Sequence, residues 1–175
     1  CATNEQGVTE LNKKSLEAMA IVQRETGLPL FAHNYHAIKT AYDQLKIFEG
    51  ANADFNKIII GHSNSVKDID YLEDFLRLGC YLGFDRISFD CRRVAETVCK
   101  LIERGWENQL LFSHDFAVFI DSQNYTWEER KKEVLTSNKN LTNVHKRFIP
   151  FLKEMGVSQR QIDKALHDNP VRLME

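Results

Sequence analysis

The sequence predicts an α/β fold built on a parallel sheet, and three observations carry that prediction. Short apolar runs at Pro29-Leu30-Phe31, Ile58-Ile59-Ile60 and Leu110-Leu111-Phe112 read as strands buried by helices on both faces of a sheet. Stretches of helical period, most closed by a glycine, separate them. Each run is followed at once by a polar phrase: Ala32-His33-Asn34, Gly61-His62-Ser63 and Ser113-His114-Asp115. Strict βα alternation with short links means parallel strands joined by right-handed crossovers.

Element by element, residues 9–26 read as a helix with Thr9 as N-cap, an apolar stripe of Leu16, Met19, Ala20 and Val22, and Gly27 as its stop. A strand at 29–32 precedes a helix at 36–48, and a strand at 57–61 precedes a helix at 67–78. In that second helix Ile69, Tyr71, Leu72, Phe75 and Leu76 recur at helical spacing. A strand at 80–84, a helix at 92–104 closed by Gly105, and a strand at 109–113 complete four βα units. Residues 121–142 are polar and charged, and read as a long loop with room for a short helix at 126–135. Closing helices fill 143–175, interrupted at Gly156 and restarted by Ser158 as N-cap.

Four units form either a small open sheet or half of an eight-stranded barrel, which needs about 250 residues when complete. An open doubly wound sheet calls for a glycine-rich phosphate turn after its first strand, and the sequence has none. The polar residues at successive strand ends are His33, His62, Asp85-Arg86 and Asp115. In an α/β barrel such positions face the active-site mouth, so the half-barrel is the better reading.

Composition narrows the function. A net charge of −2 gives no electrostatic footprint for nucleic acid or anionic lipid, and no apolar stretch has the length of a membrane helix. The four cysteines form no CxxC pair and read as reduced thiols of a cytoplasmic protein. Two imidazoles and a carboxylate at three strand ends suit a zinc-like ion. A lone histidine is more often a hydrogen-bonded core imidazole, but two at successive strand ends with Asp115 favour ligation. His36 and His114 read as structural. Arg130, Lys131, Lys132 and Lys139, in the 121–142 loop with Tyr125 and Trp127, read first as a solvated face. As part of a lid they would instead hold an anionic group of a substrate.

The phrases Gly61-His62-Ser63-Asn64-Ser65, Asp70-Tyr71-Leu72, Gly83-Phe84-Asp85-Arg86, Ser113-His114-Asp115, Ile149-Pro150-Phe151-Leu152 and Asp168-Asn169-Pro170-Val171-Arg172 together resemble the phosphotriesterase-like family of the amidohydrolase superfamily. The resemblance is collinear over essentially the whole chain. It implies a (β/α)8 TIM barrel of which this chain supplies about the last four βα units, as the C-terminal half of one hydrolase. It also implies two divalent metal ions, zinc being the first expectation, and attack by a metal-bridging hydroxide on a lactone or ester.

By position His33 resembles the strand-five ligand and His62 the strand-six ligand. Asp115 resembles the strand-eight ligand and proton acceptor. The family's His-x-His pair and carbamylated lysine would lie upstream, with Cys1-Ala2-Thr3 resembling the stretch directly after that lysine. The native protein is therefore expected to be nearly twice as long; a genuine half-barrel is the alternative, and would expose the edge of a buried sheet. A homodimer is expected. Asp85-Arg86, whose bland reading is a surface ion pair, resembles the lactonase branch, with the arginine near the metal centre. Phosphotriesterases proper carry a histidine after that aspartate, and an aspartate where this chain has Ser65. The expected substrate is a lactone, phosphorylated or carboxylated. The alternatives are an organophosphate hydrolase with the same metals and a non-catalytic ligand-binding barrel.

Overall fold

The structure, a computed structural model, describes residues 1–87, 90–116, 126–136 and 141–175, with backbone only at residues 130 and 133–136. The loop expected at 121–142 therefore lies partly outside the described residues. Four strands, β1 (Leu30–Ala32), β2 (Ile58–Ile60), β3 (Tyr81–Phe84) and β4 (Leu110–Phe112), form one parallel sheet in chain order. Leu30 pairs with Ile58, Ile60 with Leu82, and Phe84 with Phe112. Helices α1 (Glu10–Thr26), α2 (Thr40–Gly50), α3 (Ile69–Arg77) and α4 (Cys91–Glu103) alternate with the strands. The sequential order and parallel register are those of consecutive units in a (β/α)8 barrel.

Burial alternates along the strands. Leu30, Ala32, Ile58, Ile60, Leu82, Phe84, Leu110 and Phe112 are buried in the core with Phe48, Phe75 and Phe148. The intervening row is Phe31, Ile59 and Leu111, and Phe31 is 43% exposed. The expectation of strands covered on both faces therefore holds for one face only. The other face is apolar yet partly open, as the interior wall of a barrel would be where its opposite wall is not part of the chain described.

Local capping explains the helix limits. Thr9 and Asn12 form a capping box at the start of α1, and Gly27 closes it in the left-handed region at φ 68°. The buried face of α1 differs from the expected stripe, because Leu16, Ala20 and Gln23 point inward while Met19 and Val22 are exposed. Gln23 earns burial by bonding Asp54 twice, donating to its carbonyl at 2.7 Å and accepting its N–H at 3.0 Å. The helix expected at 36–48 divides: a 3-10 turn at His36–Ile38 precedes α2, with Lys39 between them at φ 56°.

Helix α5 (Trp127–Thr136) occupies the short stretch expected to be helical. Near the C-terminus come α6 (Ile149–Glu154), α7 (Gln159–Asp163) and α8 (Asn169–Met174). Pro150 and Pro170 sit in α6 and α8 directly after π-helical turns at Val144–Phe148 and Lys164–Asp168. A proline offers no N–H and its ring displaces the carbonyl four residues back, so the preceding turn widens rather than the helix ending. Asn169, fully buried, ties α8 to the sheet by donating to the carbonyls of Glu107 and Leu110 at 2.9 and 2.8 Å. All four cysteines are unpaired, and burial pushes the Cys80 thiol up to about 12. No helix among the described residues is long and apolar enough to cross a membrane.

Candidate active site

The expected site residues stand at the C-terminal ends of the four strands: His33 after β1, His62 after β2, Asp85 and Arg86 after β3, and Asp115 after β4. At this end β1 and β2 approach closely, because Gly61 lacks a side chain. A Cβ there would lie 2.4 Å from the Phe31 ring and 2.9 Å from the Ala32 carbonyl. His62 follows in the left-handed region at φ 58°. Asp115 also has a positive φ, 44°, so two candidate residues sit in backbone conformations that side chains seldom adopt.

His33 and His62 come together. Their ring centroids are 4.3 Å apart and the planes cross at 89°. Asp85, 4% exposed, clamps His62 with both oxygens, accepting the backbone N–H at 2.9 Å and Nδ1–H at 2.8 Å. That fixes the tautomer and leaves the His62 Nε2 lone pair buried with no partner. His33 donates Nδ1–H to the Thr3 carbonyl at 3.2 Å, which likewise frees its Nε2. Burial first, and the neighbouring His62 second, hold the His33 imidazole below its usual value, so it stays neutral as a ligand must. A buried network holds the strand end from behind. Gln44 donates to the His33 carbonyl at 3.0 Å and to Thr3 Oγ1 at 2.9 Å, and Thr3 donates to Thr40 at 2.8 Å.

Asp115 does not join the imidazoles. Its carboxylate pairs instead with Arg86, whose Nε donates to Oδ2 at 2.8 Å. Among the described residues no three His, Cys, Asp or Glu side chains converge to hold an ion. The ion pair suspected between Asp85 and Arg86 is thus two separate pairings, Asp85 with His62 and Arg86 with Asp115. Lys131 and Lys132 are exposed on α5, while the Arg130 side chain, Tyr125 and Lys139 lie outside the described residues.

One contributor, Asn64, escaped the sequence reading, and His36 plays the structural part read for it. Asn64 embraces the Arg86 backbone, accepting its N–H at 3.2 Å and donating to its carbonyl at 3.4 Å. His36 donates Nε2–H to the Gly61 carbonyl at 2.8 Å and accepts from the Tyr71 hydroxyl at 3.3 Å, bracing the turn before His62. For Asn64 the one available signal was its place directly after the strand-end Gly-His-Ser.

The sequence model of the Phosphotriesterase family matches residues 1–174. The chain belongs to the phosphotriesterase family. A solved structure of the phosphotriesterase from Mycobacterium tuberculosis, 32% identical, superposes with a TM-score of 0.92, covering 100% of this chain and 54% of that one. An aryldialkylphosphatase of Saccharolobus solfataricus is 31% identical over 97% of this chain and 54% of its own length. An N-acetyltaurine hydrolase of Danio rerio is 26% identical over 94% of this chain and 48% of its own. This phosphotriesterase-family chain thus spans about half the length of the relatives it matches. Its sheet is the α/β arrangement of part of a TIM barrel.

Proposed function

We propose that the protein is a metal-dependent hydrolase whose preferred substrates are lactones, with its site at the C-terminal ends of β1 to β4. The observation that carries this is the buried, unpartnered Nε2 of His62 beside His33. Its other nitrogen is fixed by a carboxylate, as metal-binding histidines are oriented. His33 and His62 would hold divalent ions, with zinc the first expectation from an imidazole and carboxylate donor set. Divalent ions, when bound, supply Lewis-acid polarisation and a hydroxide at neutral pH.

The chain's own residues supply orientation and proton transfer. Asp85 holds the His62 ring in one tautomer. Arg86 binds Oδ2 of Asp115 and leaves Oδ1 to receive the proton of the attacking water. As water oxygen bonds the carbonyl carbon and the ring C–O bond breaks, that proton passes from Asp115 to the departing alkoxide. Arg86 in the place of a histidine, and Ser65 in the place of an aspartate, favour lactones over phosphotriesters. The aryldialkylphosphatase relative supports phosphotriesters as the second reading.

The test is a metal count on the intact protein, followed by kcat/KM on matched lactone and organophosphate panels. About two ions per chain and higher values for lactones are expected, and Asp115→Asn should lower kcat by about 10²–10⁴ with the fold retained. A metal-free protein, higher organophosphate values, or an active Asp115→Asn would each overturn the reading.

A further inference from the structure

We propose that the cleft between the β1–α2 and β2–α3 connections is a subsite for an oxyanion, a carboxylate or phosphate, carried by the substrate away from the bond that is cut. The hydrolase reading above enters only through what happens at the reacting end. The cleft has a volume of about 450 Å³, and Asn34, Lys39, Lys67, Asp68, Tyr71 and Arg86 border it. It lies on the site's own end of the sheet. Asn34 follows His33 directly, Lys67 comes just after the turn that begins at His62, and Arg86 follows Asp85.

Its charge is one-sided. Neither Lys39 nor Lys67 has an acidic partner among the described residues; the Lys39 ammonium stands over the Tyr71 ring, 5.2 Å from its centroid. Asp68 is the single acid among the bordering residues, and its Oδ1 is engaged by the Tyr71 N–H as the cap of α3. Arg86 shares its charge with Asp115 and links the cleft to the reacting end. Two ammonium groups with no acidic partner among the described residues, at a concave, partly apolar site, recognise an oxyanion by charge-assisted hydrogen bonds.

Asn34 adds a second and independent sign of a ligand. It is 3% exposed and donates Nδ2–H to the Ala32 carbonyl at 2.6 Å, but its Oδ1 is buried with no partner. A buried acceptor left open calls for a donor, so the ligand should carry an O–H or N–H beside its anion.

Non-hydrolysable lactams test the subsite apart from the reaction. Binding of 2-pyrrolidinone, of pyroglutamate and of the phosphate ester of 5-hydroxymethyl-2-pyrrolidinone to the intact metal-loaded protein is measured by calorimetry. At least one anionic lactam should bind ten-fold or more tighter than pyrrolidinone, and the one that does tells carboxylate from phosphate. The gap should shrink as salt screens it and vanish in the Lys39→Met/Lys67→Met double variant, with pyrrolidinone affinity unchanged. Equal affinities, including no binding of any lactam, overturn the proposal. So does a gap that survives in the double variant, which would place the anion on other cations. A lactam gap without turnover of any lactone leaves the subsite standing and removes the lactonase reading; turnover of lactones without a gap does the reverse.

Discussion

At the scale of single residues, the Asp85–His62 clamp is the arrangement with the clearest consequence. Asp85 accepts two donors, the backbone N–H and Nδ1–H of His62. In Asp85→Asn one of those donors would face another donor, since an amide has only one accepting atom. We expect metal affinity to fall about 10- to 100-fold, measured by chelator competition with the melting temperature followed in parallel; unchanged affinity would show that the clamp does not orient a ligand. A second expectation concerns His36, which burial holds below the usual imidazole value, with the Gly61 carbonyl opposing. A base whose folded pKa is lowered contributes no penalty above its unfolded pKa of 6.5, and costs stability as pH falls through and below that value. His36→Gln keeps a donor for Gly61 and an acceptor for Tyr71 without the titration. Its melting temperature should therefore fall less than the wild type's between pH 7.5 and 5.5, and parallel losses would reject the assignment. The histidines at the strand ends were legible because apolar runs and polar residues alternate sharply there. The partner of Asp85 was not, because neighbours in sequence at a strand end face opposite ways, and the contact to His62 spans 23 residues.

At the scale of elements, the close approach of β1 and β2 rests on Gly61. Its φ is not in the left-handed region, so the requirement is space alone. Gly61→Ala would drive a methyl group into the Phe31 ring and the Ala32 carbonyl, and backbone cannot yield as a side-chain tip can. Overpacking of this kind costs about 1–3 kcal/mol. A chemical-denaturation midpoint should show that loss, together with weaker metal binding as His62 shifts; an unperturbed midpoint would mean the strands separate at no cost. The order of strands and helices was readable from period and breakers, and Thr9, Gly27 and Ser158 cap where residue type predicts. What composition could not reveal was rotation and continuity. The inward face of α1 follows Leu16, Ala20 and Gln23 because a paired glutamine can replace an apolar residue. The helices run through Pro150 and Pro170 because a wide turn before each absorbs the missing hydrogen bond.

At the scale of the whole molecule, the sheet is supported unequally at its two margins. Beyond β1 the backbone of Cys1–Thr3 continues the pairing, with Thr3 N–H donated to the His33 carbonyl at 3.1 Å and His33 N–H to the Cys1 carbonyl at 2.9 Å. Beyond β4 no strand pairs among the described residues. The interior row of Phe31, Ile59 and Leu111 is partly open. A parallel sheet normally has both faces covered, and an uncovered strand edge is a template for another chain. Relatives of about twice the length carry the additional residues that such a wall requires. This chain is therefore expected to self-associate, and to bind metal more weakly than relatives of about twice its length, since the imidazoles of β1 and β2 meet no third ligand among the described residues. Light scattering after size exclusion, with a metal titration on the same sample, reads both effects. A monodisperse monomer with a cooperative melt would show that the four βα units bury enough surface to stand alone. Self-association that a charge placed at Leu111 abolishes would locate the contact on the open wall beside β4.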